Sequence, residues 1–280
     1  MGGDEADGSF EWDSHWQDFG DPTQGNPANH YRERLIFDLL GAPEPGDTIV
    51  DIGCGQGELA VLLASRFPET SVWGVEASAE GVRRAKRAAA GLGIDARFVQ
   101  RDLLVAAKPT QEITSQGTLA VCTEVLEHVD HPEELLRNAL SYLTTGCRVV
   151  VTVPGGPRSA FDRHIGHRRH FTRRSLRAAL EAGGLRVERV YAAGFPFFNL
   201  YKLTVILRGN RLVQDLQGAA IDGAPSRPAR LVLAFFDCMF RFNLRSTPFG
   251  WQLVAVATVP GVRSDGGGVR PSPNGDSKQP

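Results

Sequence analysis

Between Thr48 and Val259, short apolar runs rich in β-branched residues alternate with longer segments in which apolar side chains recur every three or four positions. Runs of the first kind fit strands buried on both faces, and segments of the second kind fit amphipathic helices. The pattern predicts strands near 48–52, 71–76, 96–101, 117–122, 147–153, 185–193 and 251–259. It predicts helices near 28–40, 57–67, 79–92, 131–143 and 172–182. Local punctuation agrees. Asn26-Pro27 and His131-Pro132-Glu133-Glu134 are helix starts, and Gly183-Gly184 is a helix stop before the sixth strand. Alternating strands and helices imply an α/β fold, a doubly wound, mostly parallel seven-stranded sheet.

The regularity breaks at 194–250, which separates the last two strands and carries Phe195-Pro196-Phe197-Phe198 and Leu231 to Phe236. An insertion there would lie over the carboxyl ends of the strands, where ligands bind in such sheets. It is read as a helical cap, inserted before the last strand, that forms an apolar or aromatic substrate pocket. The alternatives are a homodimer interface, an enlarged core, or attachment to a membrane surface. The organisation expected is a tail and lid over 1–27, a core over 28–193, the cap over 194–250, a final strand over 251–260 and a tail over 261–280. Trp12, Trp16 and Phe19 either close over a ligand or plug the core. Met1 to Gly8 and Gly261 to Pro280 have almost nothing to bury and are expected to be disordered.

With 280 residues, 42% of them hydrophobic, the chain can bury a substantial core. A net charge of −1 supplies no bulk attraction to nucleic acid or anionic lipid. Four cysteines, Cys54, Cys122, Cys147 and Cys238, lack metal-type spacing and read as buried thiols of a reducing compartment. The acidic start of the chain is no secretory leader, and no apolar run reaches the roughly 18 residues of a membrane span. A cytoplasmic location is expected.

The most specific chemistry lies in Asp51-Ile52-Gly53-Cys54-Gly55-Gln56-Gly57. Alternate glycines allow a sharp turn and close approach of a ligand to the backbone, and a helix follows at once. Glu76, closing the second strand, is placed to accept two hydrogen bonds from a ribose diol. The spacing is G-x-G-x-G, not the G-x-G-x-x-G that seats a pyrophosphate on a helix N-terminus.

With Gly74-Val75-Glu76, Phe98 to Leu103, Glu124 to His128 and Val149 to Pro154 following in order, the chain resembles class I S-adenosylmethionine-dependent methyltransferases over residues 28–193. The resemblance implies their Rossmann-like fold and S-adenosylmethionine as cofactor. It implies that Gly53, Gly55 and Gly57 pack on the methionine and ribose, Asp51 contacts the aminocarboxylate, and Glu76 takes the ribose hydroxyls. Asp102 would accept from the adenine amino group, with Leu103 against the ring. Cys54, Ala77 and Thr123 complete the expected cofactor set.

Glu124-Val125-Leu126-Glu127-His128 is the candidate catalytic run. On a helical turn, Glu124 would share a face with Glu127 and His128, a set suited to Mg²⁺, Mn²⁺ or Zn²⁺. The run is similar to that of metal-dependent small-RNA 2′-O-methyltransferases, where a histidine five residues before a Thr-Arg pair joins it. That position is His167, ahead of Thr172-Arg173. Ubiquinone-synthesis O-methyltransferases carry a similar run. A divalent cation held by Glu124, Glu127, His128 and His167 would activate a substrate hydroxyl. Alternatively His128 works without metal as base or orienting group, with Glu124 and His167 beside it, or the run is structural. His131, His164 and His170 read as surface or loop histidines. Arg163, Arg168, Arg169, Arg173 and Arg174 either hold an anionic substrate or form a solvated face.

The reading that results is O-methylation of a hydroxylated small molecule. N-methylation, RNA 2′-O-methylation and cofactor binding without turnover are the alternatives. Near-neutral charge weighs against a nucleic-acid partner.

Overall fold

The computed structural model describes residues 26–105, 113, 116–207 and 227–261. Expectations for Trp12, Trp16 and Phe19, and for the tails before residue 26 and after 261, lie outside the described residues. Seven strands form one sheet in the order β3-β2-β1-β4-β5-β7-β6. They are β1 (Thr48–Ile52), β2 (Ser71–Glu76), β3 (Ala96–Gln100), β4 (Gly117–Thr123), β5 (Leu143–Pro154), β6 (Arg186–Ala193) and β7 (Gln252–Thr258). The first five are parallel neighbours, while β7 runs antiparallel between β5 and β6. The doubly wound, mostly parallel sheet expected from the pattern is the sheet observed.

Alternate residues of β1 supply the two faces. Val50 and Ile52 join Leu135 and Leu136 of α4 (Pro132–Ala139) and Leu176 and Leu180 of α6 (Arg173–Ala182). On the other face Ile49 packs with α1 (Pro27–Leu40), α2 (Glu58–Arg66) and α3 (Ala79–Leu92). Central strands covered on both sides read as continuous apolar runs, which is why the sequence located them so closely. Local caps set the helix starts. The Asn26 side chain accepts from the Ala28 N–H at 2.9 Å, and that of Ser78 accepts from Gly81 at 2.9 Å. One short helix, α5 (Ala160–His164), was not foreseen. It starts on a reciprocal capping box between Ser159 and Asp162.

Between β6 and β7 the structure describes a helix α7 over 197–207 and α8 (Arg227–Met239). Their inner residues enlarge the core beside α1. Phe198, Phe236 and Phe240 are buried, and Phe198 and Phe240 lie 5.4 and 5.6 Å from the Tyr31 ring. Asp237 adds ion pairs to His30 and Arg34. Three of the four cysteines are buried as expected. Cys238 departs from that expectation, since it lies on an exposed flank of α8. No described helix is long and apolar enough to cross a membrane.

Candidate active site

The sheet reverses its winding between β1 and β4, and a cavity of about 530 Å³ opens at the carboxyl ends of these strands. Such a switch point is where open α/β sheets bind ligands, and the volume suits a drug-sized molecule. Gly53, Cys54, Gly55, Asp51, Glu76, Ala77, Asp102, Leu103, Thr123, Glu124, His128 and His167, all expected at the site, line it.

The glycine loop is strapped over β2, with Gly53 N–H donating to Val75 O at 2.8 Å. Gly53 and Gly55 have φ of 70° and 54°, a left-handed backbone that side chains disfavour. A Cβ on Gly53 would stand 2.6 Å from Val125 Cγ2. Gly57 has a different role from the one expected. It lies outside the cavity lining, and a Cβ there would meet Ala85 Cβ at 2.6 Å. Its lack of a side chain serves the packing of α2 on α3.

Two carboxylates flank the loop. Glu76 accepts from the Gly55 N–H through Oε2 and from the Ser78 N–H through Oε1, both at 2.9 Å. These bonds fix its orientation and leave further lone pairs for a diol. Asp51 is buried, and its Oδ2 has no hydrogen-bond partner among the described residues. Burial, followed by the nearby Glu76 charge, pushes its carboxyl up to about 7. Asp102 is exposed at the rim, where Oδ1 accepts from the Leu104 N–H at 2.8 Å. It therefore caps its own loop as well as lining the cavity.

The Glu-x-x-Glu-His run does not form one helical face. The helical turn covers only Leu126–His128, and Glu124 precedes it with φ 54°. That conformation turns Glu124 away. Its Oε1 accepts from Gln252 at 2.9 Å and Thr152 at 3.2 Å, and Oε2 faces Arg32 at 3.6 Å. Ligand atoms of Glu127, His128 and His167 instead lie within 4.8 Å of one another, without Glu124. The His128 and His167 rings meet edge to face, 4.6 Å apart. Glu127 is fully buried, and neither carboxylate oxygen has a hydrogen-bond partner among the described residues. Burial, reinforced by Glu124, raises its pKa well above the usual carboxylate range. Burial and the His128 ring depress His167 to about 2, so this imidazole is neutral.

His170 is no surface histidine. Its side chain is buried, with Nε2 at 3.3 Å from His167 Nδ1 and Nδ1 at 3.1 Å from Gly156 O. His131 and His164 are exposed as expected. None of Arg163, Arg168, Arg169, Arg173 and Arg174 lines the cavity. Arg168 and Arg169 turn to Asp130 instead.

Sequence reasoning missed Arg32, Asp162, Lys202 and Gln252. Ser159-x-x-Asp162 was a readable capping signature. Lys202 carried no signal, because its partner Asp162, 3.1 Å away, is forty positions distant. Burial opposes ionisation of Asp162, but Lys202 and the Ser159 hydrogen bonds hold its pKa well below the usual value. On α7, Tyr201, Lys202 and Val205 line the cavity, and Tyr201 donates to the Asn26 cap at 3.2 Å.

A family model described as a methyltransferase domain matches residues 28–190. The ubiquinone biosynthesis O-methyltransferase of Aeromonas salmonicida (strain A449) is 27% identical over 221 residues, spanning 73% of this chain and 90% of the relative. Trans-aconitate 2-methyltransferase of Rhodococcus jostii (strain RHA1) is 30% identical over 159 residues, 55% of this chain and 58% of that protein. In fold, the chain is similar to geranyl diphosphate C-methyltransferase of Streptomyces coelicolor A3(2), with TM-score 0.53 and 20% identity. That likeness covers 82% of this chain and 79% of the other. A parallel sheet closed by an antiparallel β7, a glycine loop between two acidic groups, and a family match over most of the sheet agree on one identity: the chain belongs to the methyltransferase-domain family and is an S-adenosylmethionine-dependent methyltransferase.

Proposed function

We propose that the protein methylates a hydroxyl oxygen of a small molecule with an apolar or aromatic portion. The observation that carries this reading is the corner of Glu127, His128 and His167, where a buried carboxyl group with no hydrogen-bond partner among the described residues faces two imidazoles beside the cofactor loop. Bound S-adenosylmethionine supplies the methyl group and a positive charge that is lost in transfer. The residues around the loop fit it. The unpartnered Asp51 oxygen suits its ammonium end, Gly53 and Gly55 leave room for its methionine and ribose, and Glu76 is oriented for its diol. Cys54, Ala77 and Thr123 wall the same space, with Asp102 and Leu103 at its adenine end.

The corner also fits a divalent cation, with Glu127, His128 and His167 as holders and Glu124 reserved for Gln252, Thr152 and Arg32. Such a cation supplies a Lewis acid that lowers the pKa of an acceptor hydroxyl. Neutral His167 presents a lone pair, and Glu127, with no hydrogen-bond partner among the described residues, suits a ligand's role. Phe161, Ile165 and Val205 contribute apolar wall that excludes water and aligns the acceptor. Lys202 and Arg32 on that wall are already matched by Asp162 and Glu124, which favours a neutral hydroxyl over a polycarboxylate acceptor. Three buried thiols fit a reducing, cytoplasmic setting.

Calorimetric titration with S-adenosylhomocysteine, followed by turnover of catechol-type acceptors with and without EDTA, tests the proposal. Saturable binding and chelator-sensitive O-methylation are expected. Full turnover in excess EDTA would transfer the role to His128 as a metal-free base. Methylation confined to amines would overturn the hydroxyl reading.

A further inference from the structure

A carbonyl oxygen can only accept a hydrogen bond, so a ring nitrogen facing one must carry a proton. His170 Nδ1 lies 3.1 Å from the oxygen of Gly156, just past the end of β5, and is therefore the N–H of that imidazole. In a neutral ring the other nitrogen is then a bare lone pair. His170 Nε2 faces His167 Nδ1 across 3.3 Å, and the bond closes only if His167 Nδ1 supplies the hydrogen. His167 is left with its own lone pair on Nε2, the nitrogen 3.9 Å from Glu127 Oε1. The proton pattern at the corner is thus set two side chains away, by a main-chain acceptor.

The surroundings of His170 keep it neutral. Its side chain is 5% exposed, and the carboxylate near Nε2, at 3.8 Å, is that of Asp162. That carboxylate is already matched. Its Oδ1 accepts from Lys202 at 3.1 Å, and its Oδ2 accepts from the Ser159 N–H and hydroxyl, both at 2.7 Å. An imidazolium buried there would lack a counter-charge of its own. The same pairing argues against a cation among Asp162, His167 and His170, although their ligand atoms lie within 4.8 Å of one another. Such an ion would have to displace Lys202 and strip the proton from His167 Nδ1. Main-chain bonds keep the two rings in place. Arg168 N–H donates to Glu127 O at 2.8 Å, His167 N–H to Asp162 O at 2.9 Å, and Phe171 N–H to Pro154 O at 3.0 Å. His167 lines the cavity, whereas His170 stands behind it.

We infer that His170 is a positioning residue: anchored on Gly156 O, it holds His167 in the tautomer whose bare Nε2 faces Glu127 and His128. Its effect on the reaction rests on the cation reading of that corner given above, whereas the tautomer does not. An imidazole ligand held through its other N–H is fixed in both tautomer and orientation, and losing such a partner costs about 10–100-fold in metal affinity.

Long-range proton–nitrogen NMR of the full chain, isotope-labelled at its histidines, reads the tautomer before any metal is added. His167 and His170 should each show a protonated Nδ1 and a bare Nε2. Mn²⁺ titration followed by electron paramagnetic resonance should then find one ion per chain. His170→Phe fills the space but offers no acceptor, and should release the His167 tautomer and weaken Mn²⁺ binding about 10–100-fold. His170→Gln places an amide oxygen where Nε2 was and should recover most of that loss. Both variants should keep the wild-type S-adenosylhomocysteine titration. A His167 protonated on Nε2, a doubly protonated His170, a second Mn²⁺ per chain, or equal Mn²⁺ affinity in the two variants would each overturn the inference. Should His170→Phe fail to fold, the wild-type spectrum and the glutamine variant decide. The expected tautomer in a wild type that binds no Mn²⁺ would uphold the pairing of His170 with His167 and fell the cation reading alone.

Discussion

Asp51 is a buried acid whose Oδ2 has no hydrogen-bond partner among the described residues, and Asp51→Asn exposes what that arrangement costs the ligand-free protein. The carboxyl moves from 3.8 unfolded to about 7 folded, first through burial and then through Glu76. The sign follows from proton counting. Below about pH 4 both states are protonated and the group is neutral towards stability. Between about 4 and 7 the unfolded chain releases a proton that the folded chain keeps, so stability falls as pH rises. Above 7 the whole difference has been spent, on the order of 4 kcal/mol at 1.36 kcal/mol per pH unit. An asparagine keeps the acceptor for the Ala60 N–H and removes the ionisation. Urea denaturation should therefore find Asp51→Asn more stable than wild type by about 4 kcal/mol at pH 8 and about 1.5 kcal/mol at pH 5. The same variant should bind S-adenosylhomocysteine at least about tenfold more weakly, through loss of a charged partner for its ammonium group. A gain identical at both pH values, or a loss at pH 8, would refute the reasoning.

Other outcomes follow from the same geometry. Glu76→Ala removes the acceptor for Gly55 and Ser78 and should weaken calorimetric S-adenosylhomocysteine binding by about 100-fold. Gly53→Ala combines a left-handed backbone with a 2.6 Å contact to Val125, and should cost about 2–5 kcal/mol in urea melts. Adding Val125→Ala should recover only the contact part, so a double variant no better than the sum of the singles would show that the clash is absent. Lys202→Met leaves Asp162 buried without its cation, and a drop of about 3 kcal/mol should be lost as pH falls far enough to protonate Asp162. Glu127→Gln should weaken Mn²⁺ binding, read by titration or electron paramagnetic resonance, by about tenfold or more, and unchanged affinity would remove Glu127 from the corner.

The parallel strands were legible because burial on both faces leaves a continuous apolar signature, and β1 and β2 were located to the residue. The glycine loop and Glu76 were legible for a related reason, since their chemistry is local in sequence. Glu124 was misplaced because a helical spacing rule was applied where the backbone takes φ 54°, a conformation that residue identity alone does not announce. Gly57 was misassigned because a glycine needed for helix packing looks the same in sequence as one needed for ligand approach. His170 and Lys202 were beyond reach for another reason. Lys202 meets Asp162 only where α5 and α7 converge, forty positions apart, and His170 is buried by the loop folding back on Gly156, Asp162 and His167.

The placement of β7 has a consequence for how the segment before it is held. Ala193 at the end of β6 and Gln252 at the start of β7 are register partners in adjacent strands. Everything between them therefore leaves and re-enters the framework through one narrow gate. Closing the excursion at neighbouring residues costs little loop-closure entropy whatever its length, so what ties it down is the burial of Phe198, Phe236 and Phe240 beside α1. The molecule holds this excursion at both ends: it is anchored at its two mouths by the strand ladder and along its length by Phe198, Phe236 and Phe240.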